Sequence, residues 1–245
     1  MIISEKSWKK YTDDLRKIST KAASLMAAYL ETHEHASVAG RQAAINYAVR
    51  LVDKYGDGAA EKACQMYDAV ALASGKNIPP AEPSARIKIG EVAQTVNGAS
   101  AVSERPDMVG NAVSRLVKMR GVDTTMTNAL RDGAEWAWIP QGDTCPFCLM
   151  LASNGWRKAS KKAIRNGHAE HIHPNCDCTY AIRFDSKSNV AGYDPGGIYD
   201  DFMDIDESGW GNKVNYMRRK NYEANKDTIN AQKRAAYAKR MELKE

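Results

Sequence analysis

Trp136-Ala137-Trp138-Ile139 and Tyr180-Ala181-Ile182-Arg183-Phe184 are the two stretches on which the fold of this chain turns. Both are short, rich in aromatic and β-branched residues, and flanked by turn formers. They read as strands, not as turns of helix. Upstream of residue 134 the apolar residues recur at helical spacing instead. The expected fold class is therefore α+β, mainly α: a multi-helix region over residues 1–132, a small β-containing region over 133–207, and a basic C-terminal helix or tail over 208–245.

Between the two strands lie four of the five cysteines. Cys145-Pro146-Phe147-Cys148 forms one close pair, and His173-Pro174-Asn175-Cys176-Asp177-Cys178 a second cluster. Two thiols at C-x-x-C spacing can grip one tetrahedral metal across a tight turn, and a second His/Cys cluster beyond a loop can close the shell. Such a cross-link suits a small irregular segment with little apolar surface to bury. The expected cofactor is thus a structural Zn²⁺, with the candidate ligands Cys145, Cys148, His173, Cys176 and Cys178. His171, and His168 a little farther away, add to a surplus of donors. Four ligands suffice, so spacing alone does not choose between His173 with one later cysteine and Cys176 with Cys178. A closed shell leaves no position for an activated water, and no H-E-x-x-H or comparable base accompanies the cluster. No catalytic residue is assigned, and a non-enzymatic protein is expected. Without a metal, the same thiols could stay reduced or pair as disulfides.

Working outward toward the N-terminus, Trp8, Tyr11, Leu15, Ile18, Ala22, Leu25 and Tyr29 put one apolar stripe on a long first helix. Ala44, Tyr47, Ala48, Leu51 and Tyr55 repeat the pattern. Gly56 is expected to end that second helix, with Asp57 capping a third whose inner face reads Ala60, Cys64, Tyr67 and Ala71. Cys64 falls on this stripe and is read as core. The prolines of Pro79-Pro80-Ala81-Glu82-Pro83 interrupt helix formation. A shorter helix is expected from Ile89 to Val96, stopping near Asn97-Gly98. Another should start at Ser103 and Pro106, break at Gly121, and continue through Met126 and Leu130. Past the second strand, Gly192-Tyr193-Asp194-Pro195-Gly196-Gly197 reads as a turn before a short acidic helix through Ile198, Phe202 and Ile205.

Composition is that of a globular protein, with 43% hydrophobic and 27% charged residues. No apolar run approaches the length of a membrane span. The start Met1-Ile2-Ile3-Ser4-Glu5-Lys6 lacks the pattern of a secretory signal, so reduced, metal-binding cysteines are expected. Net charge is only +5, but it is arranged in blocks. Residues 157–165 carry Arg157, Lys158, Lys161, Lys162 and Arg165 without an acid. Residues 194–207 carry Asp194, Asp200, Asp201, Asp204, Asp206 and Glu207 without a base. The tail is basic again, with too few apolar positions to pack well alone, and is expected either to fray or to order only against a partner. Basic blocks beside Trp156 make DNA contact through residues 157–165 and the tail a further expectation.

The run Asp143-Thr144-Cys145-Pro146-Phe147-Cys148-Leu149-Met150-Leu151-Ala152-Ser153, then His171-x-His173-x-x-Cys176-Asp177-Cys178, then Gly192-Tyr193-Asp194-Pro195, resembles minor head (minor capsid) proteins of tailed bacteriophages, the MuF-like head-morphogenesis group. Lys54-Tyr55-Gly56, Cys64-Gln65-Met66-Tyr67-Asp68 and the proline segment at 79–83 look like that group's helical half. The resemblance covers roughly residues 5–207 and lies in the order of several motifs. The family's Cys/His motif maps onto Cys145, Cys148, His173, Cys176 and Cys178. The resemblance implies a structural virion component in the capsid interior, passing through the host cytoplasm during assembly. Its implied partners are the phage portal and the major capsid or scaffolding proteins, with no membrane. The competing classes are a metal-dependent head-associated nuclease or protease, which would need His171 or His173 in catalysis, and a DNA-binding internal head protein.

Overall fold

The computed structural model describes residues 2–102, 105–141, 144, 146–165, 168–169, 178–204 and 213–242. In chain order the elements are β1 (Ile2–Ile3), α1 (Glu5–Thr32), α2 (Val38–Ala73), α3 (Ile89–Val102), α4 (Pro106–Asp132), β2 (Glu135–Ile139), α5 (Pro146–Ala152), β3 (Arg157–Lys158), a 3₁₀ turn at Lys161–Ala163, β4 (Ile164–Arg165), β5 (His168–Ala169), β6 (Thr179–Arg183), β7 (Asn189–Val190), α6 (Pro195–Met203) and α7 (Lys213–Glu242). The fold is mainly α with a small antiparallel sheet, as the sequence indicates.

Helix α1 starts at Ser4, whose hydroxyl accepts from Ser7 N at 3.1 Å and so satisfies one of the open amides of the first turn. Trp8, Tyr11, Ala22, Met26 and Leu30 are its buried stripe. Helix α4 is the axis of the molecule. It packs against α1, α2, α3 and β6, and it is buried nearly all round, from Val109 to Ala129. It buries polar residues as well, among them Arg120, Asp123, Thr124 and Asn128, so no single apolar stripe marks it. Pro106 opens it and Gly133 closes it in the left-handed region at φ 67°.

Three helix breaks expected from glycine are absent. Helix α2 runs straight through Gly56, α4 through Gly121, and α3 through Asn97-Gly98 to Val102. The first two glycines serve close packing. A Cβ at Gly56 would stand 3.3 Å from Arg120 Cγ, and one at Gly121 would stand 3.3 Å from Ala59 O. Glycine here lets α2 and α4 approach, and tertiary packing overrides its poor helix propensity. Cys64 also needs correcting. The inner face of α2 is centred on Ala59, Ala63, Tyr67 and Val70, which leaves Cys64 half-buried at its edge.

The proline segment after α2 is a strap tied across α4. Asn128 clamps it at both backbone groups of one residue, accepting from Glu82 N at 3.0 Å and donating to Glu82 O at 2.8 Å. Thr124 accepts from Ser84 N at 3.1 Å, and the Arg131 guanidinium donates to the carbonyls of Pro79 and Pro80. Buried Arg120 reaches both Ser84 O and the Asp57 carboxylate. The strap lacks ladder partners of its own, and these side chains of α4 supply them.

The central sheet has the order β3-β2-β6, antiparallel throughout, with Trp136 opposite Ile182, Trp138 opposite Tyr180 and Ile139 opposite Thr179. One continuous apolar core joins Trp8, Met26, Leu116 and Met126 of the helices to Trp138, Tyr180 and Cys148 of the β-containing part. The N-terminus is stitched to the far end of the chain, since β1 pairs in parallel with β7. Helix α7 packs chiefly against α5. Among the described residues, no helix is long and apolar enough to cross a membrane.

Candidate functional site

The pairing of Ile139 with Thr179 decides where the cysteine segments meet the body. The chain leaving β2 toward Cys145 and the chain entering β6 from Cys178 pass the same end of the sheet. Of the five candidate ligands, Cys148 and Cys178 are described. They are 0% and 7% exposed and belong to the same apolar core. Cys145, His173 and Cys176, like His171, lie outside the described residues. Among the described residues no group of three or more His, Cys, Asp or Glu side chains is placed to hold a metal ion.

The local form of the first cluster differs from the expected tight turn. Pro146 is the first residue of α5, so Cys148 sits on the first turn of a short helix. Proline suits that place because its missing amide has no intrahelical acceptor there. Two buried thiols delivered from two separate segments are the donor type that zinc takes. The donor chemistry that is described therefore fits the metal.

The Gly192-Tyr193-Asp194-Pro195 motif turns out to be a clamp on that helix. Gly192 takes φ 79°, which turns the chain back. The Tyr193 hydroxyl donates to Ala152 O, at the end of α5, at 2.7 Å. Burial pushes the Tyr193 phenol up to about 12. Asp194 caps α6 by accepting from Gly197 N at 3.1 Å, and Pro195 opens that helix. Behind Tyr193, Trp156 meets it edge-on with ring centroids 6.1 Å apart and donates Nε1–H to Asn189 Oδ1 at 3.1 Å. The Arg183 guanidinium covers the other side of Trp156 at 4.6 Å and pairs with Glu135 at 2.6 Å. The sequence marks this motif as a turn. The contact of its tyrosine with α5 could not be read from spacing.

Beside the clamp, a groove of about 300 Å³ opens on the sheet. Trp136, Trp138 and Tyr180 line it, Tyr180 lying 4.6 Å and 4.8 Å from the two indoles. Arg157, Lys158 and Lys162, all exposed, form its rim. The basic block of residues 157–165 thus borders a concave aromatic surface instead of lying on an open loop.

A family model described as VG15 protein matches residues 2–205, which include both cysteine clusters and the Gly-Tyr-Asp-Pro turn. No curated protein and no solved structure shows significant similarity to the chain. With more than half its length matched, the chain belongs to the VG15 protein family, a phage-type viral gene family, and is a phage protein.

Proposed function

We propose that this phage protein is a minor capsid, MuF-like head-morphogenesis component: a non-enzymatic structural protein of the virion that acts in head assembly near the portal. The observation that carries the reading is the family match over residues 2–205, within which the Cys-x-x-Cys pair, the His/Cys cluster and the Gly-Tyr-Asp-Pro turn follow one another in the order that resembles minor head proteins. Cys145 and Cys148, with two of His173, Cys176 and Cys178, hold a structural Zn²⁺ at the end of the sheet where both segments leave. A closed shell of protein ligands supplies a cross-link and no reactive water. The metal adds folding free energy to a segment whose own apolar surface is small. Support comes from the burial of Cys148 and Cys178 and from the β2–β6 register. The helices α1, α2 and α4 pack on one another, and their core is continuous with Cys148 and Cys178.

The test is copurification. Tagged full-length protein coexpressed with the portal and major capsid proteins of the same phage is expected to retain one of them through high-salt washing. Recovery of the tagged chain alone, from cells in which proheads form, overturns the reading.

A further inference from the structure

The groove beside the clamp has a basic rim. None of its described lining residues is an Asp or Glu, and Arg157, Lys158 and Lys162 have no ion pair among the described residues. The indole N–H groups of Trp136 and Trp138, both on lining residues, are buried without an acceptor among the described residues, although Trp138 is 1% exposed. An occupant with an apolar body and acidic groups would complement this rim.

The chain carries such a surface itself, on α6. Residues four apart on a helix share a face, which groups Tyr199 with Met203 and Asp200 with Asp204 in neighbouring rows. All four are exposed, the first pair at 49% and 48%. Neither aspartate has an ion-pair partner among the described residues. No residue of α6 lines the groove of its own chain, so the helix does not fill it in cis.

We propose that the groove receives the Tyr199/Met203 face of α6 from a second copy of this chain. Tyr199 and Met203 cover the mouth of the groove beside Trp136. Asp200 and Asp204 meet the basic rim. Groove and helix are different surfaces, so the contact is head-to-tail, and it propagates until it closes into a ring or continues as a filament. The opposed charges set its register and make it sensitive to salt. This association goes beyond the head-assembly role and stands or falls independently of it.

Sedimentation of the purified full-length chain over a range of concentrations tests the proposal. Concentration-dependent association is expected, weakened by added salt. K158E/K162E and D200K/D204K, both confined to exposed positions, are each expected to raise the dissociation constant by about tenfold or more. An equimolar mixture of the two reversed variants is expected to recover association, because the swapped charges again complement one another. A chain monomeric at every concentration overturns the proposal, as does association that the reversals leave unchanged. Failure of the mixture to recover also overturns it. Single-stranded oligonucleotide binding by a monomeric chain, lost in K158E/K162E, would assign the groove to nucleic acid instead.

Discussion

Tyr193 ties the Gly-Tyr-Asp-Pro turn to the helix that carries Cys148, through one hydrogen bond to Ala152 O. Gly155 N also donates to that carbonyl, so Tyr193→Phe leaves no orphaned acceptor and is expected to cost only about 1 kcal/mol in denaturant unfolding. Its pH signature is more specific. The phenol titrates at about 12 in the folded protein, above the ordinary value of roughly 10. The folded state therefore holds its proton more tightly, and its stabilising contribution is complete below pH ~10 and lost as pH rises through about 12. In Tyr193→Phe the alkaline decline in stability is expected to be shallower, while buried Tyr11, whose burial likewise raises its phenol to about 12, keeps part of it. An unchanged alkaline limb would show that Tyr193 is not buried as described.

At the scale of the elements, glycine was the residue whose role the sequence concealed. Gly133 and Gly192 sit at positive φ, as their places at a helix end and a turn suggest. Gly56, Gly110 and Gly121 lie inside helices, where only the neighbouring helix explains them. A Cβ at Gly110 would come within 2.5 Å of Ala23 O, so Gly110→Ala is expected to force α1 from α4 and cost about 1–3 kcal/mol. Gly98 on α3 has no heavy atom within 4 Å of a new Cβ. Gly98→Ala should instead stabilise by roughly 0.5–1 kcal/mol, because alanine loses less backbone freedom. Thermal melts of the pair check both signs; two shifts of the same sign would mean that the α1–α4 approach is not close.

The two strands flanking the cysteines and the first helix were legible because local period and composition specify them, although the buried stripe of α1 shifts to Met26 and Leu30, with Leu25 and Tyr29 half-buried beside it. The registration of Asn128 against Glu82, of β1 against β7, and of the groove against the basic block was not. Each joins residues far apart in the chain, and no local pattern marks both ends. A ligand set was not legible either: spacing offers more His and Cys donors than the four places of a tetrahedral site, and of these cysteines Cys148 and Cys178 are described, both buried.

Across the whole molecule, one core continuous from α1 and α4 to the sheet takes in both Cys148 and Cys178. A structural zinc there is expected to be present at one ion per chain by elemental analysis. Cys148→Ser and Cys178→Ser should lose the ion and melt several degrees lower, about the shift that 1–2 kcal/mol gives in a domain of this size. Cys64→Ser, on the half-buried edge of α2, should keep wild-type zinc. A chain that keeps its full melting temperature after chelation contradicts the structural metal. The role in the head is tested most directly by quantitative mass spectrometry of purified proheads and virions of the phage that encodes this chain. A few copies per particle are expected in one or both, and absence from proheads and virions alike would contradict the assignment.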